Sequence, residues 1–374
     1  MGVRSGDPGR HWDDVAAGLT PLTIAFVSSH ARNGGSERYL ETLLGLLDPT
    51  WPKHAICLER GPLVDRLVAA DIPTTVVETS GRPQSILAAG WRVRRLLRHI
   101  EPDVVHANGV KAALVSVLAS AGTRIPVVWV KHDFSWDRAL GNAIAARCRL
   151  VVGVSEAVTA SLRDRSRVRV VPTGIPELDP EGPVAELELP PGAEVVGVFG
   201  YLHPRKGQAE LVEAAPSVLA RRPRTQFLVV GGDAPEALDY AAAVRARVEE
   251  LGISSAVSFL GHRQDSVEVM RACDLAVVPT LGPGEGFGLV ALEAFSVGTP
   301  VVGYAAGALP EVAGDCALLM PAGDRGRLAN AVVRVLEDGE LRARLVECGR
   351  VRVLERYRLE PWAEALAECY KDAA

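Results

Sequence analysis

The chain has 374 residues, 48% of them apolar and 23% charged, and its 41 Lys and Arg against 46 Asp and Glu give a formal net charge of −5. Those proportions exclude a mainly disordered chain, and the slightly acidic balance gives no support to a broad nucleic-acid surface. The length suits about two domains, each with enough apolar residues for its own core.

Residues 1–20 carry Arg4, Asp7, Arg10, Asp13 and Asp14 and lack the apolar centre of a secretory leader, so a flexible N-terminal tail is expected there. From residue 23 short β-branched runs alternate with amphipathic stretches. Strands are expected at Thr23–Ser28, His54–Leu58, Thr74–Val77, Val104–His106, Val127–Val130, Leu150–Val154 and Val168–Val171. Helices are expected at Glu37–Leu47, Leu63–Ala70, Ile86–Ile100 and Lys111–Ala119. Nearly continuous Val/Ile/Leu strands between helices indicate a parallel sheet covered on both faces. The stretch from Ile175 to Gly192 then interposes Pro176, Pro180, Pro183, Pro190 and Pro191, which rules out a helix or a central strand and marks a linker.

The alternation resumes with expected strands at Val195–Gly200, Gln226–Val230, Val257–Leu260, Leu275–Pro279, Pro300–Tyr304 and Ala317–Met320. The expected helices are Gln208–Ala220, Ala237–Leu251, Val267–Cys273, Phe287–Val297, Arg325–Leu336, Glu340–Leu354 and Glu360–Lys371. The fold class is therefore α/β, two Rossmann-like open parallel sheets. Ligands bind such sheets beyond the carboxyl ends of the strands, so a cleft between the domains is expected. Cysteines stand singly at 57, 148, 273, 316, 348 and 369, without metal-ligand spacing, and read as small buried hydrophobes in a reducing compartment. No run of about 18 apolar residues suggests a membrane span.

Four strand ends carry chemistry. After Leu275–Pro279, glycines 282, 284, 286 and 288 surround Glu285, and Glu293 follows in the expected helix. A helix starting near Phe287 offers free N–H groups and a positive dipole end to a diphosphate. Glu293 can accept hydrogen bonds from a ribose diol. After Val195–Gly200, Arg205 and Lys206 can neutralise a diphosphate leaving group. After the first strand, Asn33-Gly34-Gly35-Ser36-Glu37 is as consistent with an ordinary tight turn, capped by Ser36 or Asn33, as with a ligand loop. After Val127–Val130 comes Lys131-His132-Asp133, whose histidine is either structural or aimed at the cleft.

The set GGSE at 34–37, KHD at 131–133, VGVSEAV at 152–158, VVPTGI at 170–175, HPRKG at 203–207 and EGFGLVALEA at 285–294 resembles the retaining, GT-B-fold, glycogen-synthase-like glycosyltransferases of family four. The resemblance runs from residue 23 to about residue 371. It implies an acceptor-binding domain over 21–178, completed by a crossover helix in 357–374, a linker at 179–192, and a nucleotide-sugar donor domain over 193–356. It implies that Glu285 lies near the donor sugar, that Lys206 and Arg205 bind the diphosphate, and that His132 contacts the transferred sugar; these four are the implied catalytic residues. Donor binding is implied for Gly34, Gly35, Gly200, Arg263, Phe287, Gly288, Leu289 and Val290, with Glu293 on the ribose and His262 and Arg263 holding the base through backbone. Tyr201 stands where the family has arginine, and Thr173 where it often has asparagine.

The reaction so implied is metal-independent transfer of a sugar from a nucleoside-diphosphate sugar to a lipid, polysaccharide or natural-product hydroxyl, with retained configuration. Uridine diphosphate is the expected nucleotide, and no further cofactor is implied. No covalent nucleophile is assigned; the leaving phosphate takes the acceptor proton in a front-face attack, and domain closure excludes water. A nucleotide-sugar epimerase and a non-catalytic nucleotide-sugar-binding protein are the alternatives. A dinucleotide dehydrogenase is disfavoured by the lack of GxGxxG after the first strand. On the expected helix 86–100, Arg92, Arg94, Arg95 and Arg98 share a face with Leu87 and Trp91, opposite Ile86, Val93, Leu96, Leu97 and Ile100. That face suits an anionic lipid interface as well as a solvated one, so a cytoplasmic location is expected, with peripheral contact at the inner face of the membrane as the alternative to a plain surface helix.

Overall fold

A computed structural model of the chain describes residues 21–137 and 139–374. The expected tail at residues 1–20 lies outside the described residues. The described chain gathers into two units: residues up to Gly153 with Ser161–Val171 and Ala363–Ala374, and Val154–Ala160 with Pro172–Trp362.

In the first unit seven strands, β1 (Ile24–Ser28), β2 (Lys53–Cys57), β3 (Thr74–Val76), β4 (Val104–Asn108), β5 (Val127–Lys131), β6 (Leu150–Gly153) and β7 (Val168–Val170), form one sheet in the order β3-β2-β1-β4-β5-β6-β7. Every pair is parallel. Helices α1 (Gly35–Leu46), α2 (Pro62–Ala69), α3 (Pro83–Ile100), α4 (Val110–Ser120), α5 (Ala139–Ala145) and α6 (Glu156–Thr159) follow successive strands. Helix α6 belongs to the second unit.

Every residue of β1, β4 and β5 is buried, which is why these strands are apolar runs rather than alternating patterns. Ala25, Val27, Val105, Ala107 and Trp129 point to one face, where Ile86, Val93 and Leu97 of α3 and Ala112 of α4 close over them. Phe26 and His106 point to the other. There Tyr370 packs edge-on to Phe26 with ring centres 6.3 Å apart.

The second unit holds β8 (Glu194–Phe199), β9 (Thr225–Val230), β10 (Val257–Gly261), β11 (Leu275–Val278), β12 (Val301–Tyr304) and β13 (Ala317–Met320), in the order β10-β9-β8-β11-β12-β13. All these pairs are parallel too. Its helices are α7 (Gln208–Leu219), α8 (Leu238–Glu250), α9 (Ser266–Arg271), α10 (Leu289–Ser296), α11 (Leu309–Ala313), α12 (Arg325–Glu337) and α13 (Gly339–Arg356). The last helix, α14 (Leu359–Ala373), returns the chain to the first unit from Ala363 onward. Its buried Ala363, Leu366, Tyr370 and Ala373 recur at helical spacing.

The two parallel α/β sheets are those the sequence leads one to expect, and each expected element is found within three residues at either end. Helices α5, α6 and α11 escape the sequence reading because each is too short to show a 3.6-residue period. The proline-rich stretch forms no helix or strand, but it is tethered: Arg271 of α9 donates to the carbonyls of Asp179 and Pro183. One expectation needs correcting. Cys316 and Cys348 are joined by a disulfide with Cα atoms 5.1 Å apart, because the turn before β13 packs on α13. The other four cysteines are free and buried.

Candidate functional site

Each sheet reverses its winding direction once, between β1 and β4 in the first unit and between β8 and β11 in the second. At such a point the helices leave on opposite faces and open a crevice beyond the carboxyl ends of the strands. The residues singled out from the sequence lie on the loops that leave these strands and their neighbours, or in the first turns of the helices that follow.

In the second unit the loops after β8 and β11 lie against each other. The amide of Leu281 donates to the carbonyl of Arg205. Gly207 sits at φ +71°, and a Cβ there would lie 1.9 Å from the carbonyl oxygen of Pro279, so only glycine permits this approach. The approach brings Lys206 Nζ to 2.9 Å from Glu285 Oε2. Thr280 Oγ1 donates to the same oxygen at 3.3 Å. The Arg205 guanidinium is exposed and has no carboxylate partner among the described residues. Lys206, Glu285 and the Arg205 backbone are thus gathered at one strand-end crevice.

The loop carrying Glu285 is held from two further sides. Its carbonyl accepts from the Ala308 amide at 2.8 Å, and a Cβ on Gly307 would lie 2.2 Å from that oxygen. Ser155 Oγ donates to the Gly286 carbonyl at 2.7 Å. Helix α10 starts two residues later than expected, a correction that follows from Gly288: at φ +111° it is the N-cap and stops the helix from extending back to Phe287. Phe287 is buried and meets Tyr357 edge-on, with ring centres 5.8 Å apart. The amides of Leu289 and Val290 open the helix and have no hydrogen bond among the described residues. Glu293 lies one turn inside α10 and is half-buried.

Arg263 directs its guanidinium onto Asp265, Nε to Oδ1 at 2.7 Å, so its side chain is already engaged. Gly200 follows β8 at φ +124°, beside the aliphatic part of Lys206. Tyr201 is 40% exposed.

In the first unit Gly34 is the N-cap of α1, without a side-chain cap, so neither Ser36 nor Asn33 fills that role. The buried Glu37 carboxylate curls back instead, accepting from the Arg32 amide at 3.3 Å and from Ser36 Oγ at 2.9 Å. Asn33 Oδ1 accepts from Arg66 at 2.9 Å. Past the end of β5, His132 Nε2 lies 2.5 Å from Asn108 Oδ1, and Asn108 Nδ2 donates to the Ser36 carbonyl at 2.9 Å. Two residues earlier on β4, His106 Nδ1 lies 2.6 Å from Tyr370 Oη. Burial pushes both imidazoles down, His106 to about 3 and His132 to about 4. For His132 the neighbouring Asp133 opposes that shift and Lys131 adds to it.

Sequence reasoning missed Asn108, Tyr370, Thr280, Gly307 and Ser155. A signal existed for Asn108: it and His106 are the polar interruptions in the otherwise apolar run of β4. Tyr370 and Gly307 carried no local sign.

A cavity of about 390 Å³ lies beyond β2 and β3, lined by Leu58, Glu59, Arg60, Glu78, Thr79, Ser80 and Ser85. His30, Arg32 and Lys111 all approach the Glu59 carboxylate, at 3.3, 3.2 and 4.0 Å. Among the described residues no helix is long and apolar enough to cross a membrane.

Residues 193–338 match the family model described as glycosyl transferases group 1, and residues 33–177 the one described as glycosyltransferase family 4. A D-inositol 3-phosphate glycosyltransferase of Saccharomonospora viridis is 30% identical over 357 residues, covering 85% of this chain and 81% of the relative. The enzyme of the same name from Stackebrandtia nassauensis is 36% identical over 223 residues, covering 56% of this chain and half the length of the relative. Among solved structures, Anabaena HepE in complex with UDP-glucose superposes with a TM-score of 0.81 at 25% identity, covering 94% of this chain and 100% of that one.

Proposed function

The chain belongs to the group 1 and family 4 glycosyltransferases, and from that premise we propose that it moves a sugar from a nucleoside-diphosphate sugar to an acceptor hydroxyl with retention of configuration. The observation that carries the reading is the pairing of Lys206 with Glu285 beside Arg205 and the open amides of α10, all at the winding reversal of the second sheet. A lysine held by a single carboxylate at a partly open edge can exchange that partner for phosphate oxygens. Glu285 is then released to accept from sugar hydroxyls, and Glu293 takes the ribose diol. Gly200 leaves room for the diphosphate, and the backbone at Arg263 holds the base.

As the anomeric C–O bond breaks, negative charge grows on the departing diphosphate. In this reading Arg205, Lys206 and the amides of Leu289 and Val290 take up that charge, and donors held in place before the reaction stabilise it most. No metal is required in this reading, because these cations and dipoles supply the compensating charge. The departing phosphate removes the acceptor proton, on the same face as attack. His132 accepts a hydrogen bond from a substrate hydroxyl.

HepE is solved with UDP-glucose, which favours uridine diphosphate as the first nucleotide to test. The relatives named for D-inositol 3-phosphate favour a polyol phosphate as the first acceptor. The cavity beyond β2 and β3, whose Glu59 is approached by His30, Arg32 and Lys111, is the place in the first unit for such an acceptor. A thermal-shift series with uridine, guanosine and adenosine diphosphates tests the donor assignment. At 100 times its dissociation constant the right nucleotide adds about 2.7 kcal/mol, and no shift with any of them would refute the reading. Transfer from the selected sugar nucleotide, with the product's anomeric coupling read by NMR, tests retention.

The exposed face of α3 carries Leu87 and Trp91, 61% and 69% exposed, with Arg92, Arg95 and Arg98 beside them and no acidic residue in the helix. Arg94 departs from that face, because its guanidinium donates to the carbonyls of Ala119 and Ala121. An anionic lipid surface is the partner this face suits, and sedimentation with vesicles of graded anionic content tests it.

A further inference from the structure

We propose that Asn108 is a positioning residue that locks His132 in the tautomer carrying its proton on Nε2, so that Nδ1 presents a lone pair to a substrate hydroxyl. This deepens the functional reading and rests on it only for which molecule owns that hydroxyl. The Ser36 carbonyl can only accept. Asn108 must therefore turn its NH₂ group to it, at 2.9 Å; the flipped amide would set two acceptors face to face. That leaves Asn108 Oδ1 facing His132 Nε2 at 2.5 Å. A carbonyl oxygen has no proton to give, so Nε2 supplies it.

The second nitrogen is bare for an independent reason. Burial holds the imidazolium well below neutral pH, so a ring protonated at Nε2 has none at Nδ1. The surroundings agree. Tyr39 of α1 meets the ring edge-on, with centres 4.6 Å apart. His106 of β4 is itself held neutral and bonded to Tyr370. Glu37 is engaged by the Arg32 amide and Ser36 Oγ. Lys131, before the ring, binds the Asp133 carbonyl and the Asp137 carboxylate. Asp133, after it, accepts from the Ser135 amide. No carboxylate is hydrogen-bonded to the ring, and Nδ1 has no partner among the described residues. A neutral amide orients an imidazole while stabilising its cation far less than a carboxylate would. The same amide fastens the start of α1 to the ring, so helix terminus and histidine are set together.

Nitrogen-edited NMR of the full, unmodified chain reads the tautomer directly, with the His132 signals assigned by their absence from a His132→Gln chain. The expected result is an Nε2–H imidazole that does not titrate between about pH 5 and 8. An Nδ1–H tautomer, or a ring titrating near its ordinary value, would overturn the proposal. This readout needs no activity, so a wrong assignment of the reaction leaves it decisive, and the nucleotide thermal shift reports separately on that assignment. In Asn108→Asp the new carboxylate stabilises the imidazolium. The ring should then titrate at higher pH and transfer should fall on its acid side, with nucleotide affinity unchanged. Asn108→Ala should lower kcat about tenfold, the worth of one hydrogen bond, with KM for the donor altered less. If Asn108→Asp folds and leaves both the tautomer and the pH profile as in the parent, Asn108 does not position the ring.

Discussion

At the end of β11 the second unit sets a lysine against a glutamate, while at the end of β4 the first unit sets only neutral groups against one another. Lys206 is 30% exposed in its side chain and Glu285 11%, so each charge keeps some water and the pair can open for an anion. His106 and Asn108 are almost completely buried, where an unpaired charge would be costly; His106 Nδ1 meets the Tyr370 hydroxyl and the Asn108 amide meets the Ser36 carbonyl, while His106 Nε2 has no partner among the described residues. The difference teaches how one sheet architecture serves two tasks. On the proposed reading, a strand end that receives a phosphate keeps partly exposed charge at the rim, and one that orients a hydroxyl fixes uncharged groups in the interior.

The contrast can be broken experimentally, starting from the charged side. Lys206→Ala should reduce transfer by about a hundredfold or more, corresponding to about 3 kcal/mol for a well-placed donor. Nucleotide affinity should fall with it, measured by titration calorimetry; near-normal kcat/KM would remove the lysine from the site. Gly207→Ala forces a Cβ into the Pro279 carbonyl at positive φ, and a loss of about 2 kcal/mol in denaturant unfolding is expected.

On the neutral side, Tyr370→Phe leaves His106 Nδ1 buried without its partner. It should destabilise the chain by about 1–2 kcal/mol in urea titrations while leaving nucleotide binding to the second unit intact. The acid response follows from the same burial. His106 and His132 bind protons less readily folded than unfolded, so the unfolded chain takes up more protons below about pH 6.5. Their contribution is complete above that value and is lost as the pH falls towards about 4 and then 3. The slope reaches at most about 1.4 kcal/mol per pH unit for each ring. A His106→Gln chain should show a shallower slope, and an unchanged slope would mean that the ring is not held neutral. The smallest stability effect is expected at Trp91→Ala, within about 0.5 kcal/mol because the side chain lies in water, whereas co-sedimentation with anionic vesicles should weaken.

Much of the second site was legible because its parts are local. Glu285, the glycines around it and Glu293 sit in one stretch, and Arg205-Lys206-Gly207 directly follows a strand, so periodicity and turn chemistry place them. The start of α10 was misjudged by two residues because the left-handed conformation of Gly288 depends on packing. In the first unit the visible parts, His132 and the glycines at 34 and 35, said nothing of what orients them.

The alternation of apolar strands and amphipathic helices, the proline-rich break between the two halves and the residue types at the strand ends are all readable along the chain, since each is set by local periodicity or backbone chemistry. Tertiary structure alone decided which distant groups complete them. The Tyr370 hydroxyl reaches His106 across 264 residues of sequence, Cys316 finds Cys348 across 32, and the Ser36 carbonyl fixes the Asn108 amide across 72. The physical reason is that a buried polar atom must find a partner wherever the fold supplies one, and sheet order, rather than distance along the chain, sets where that is.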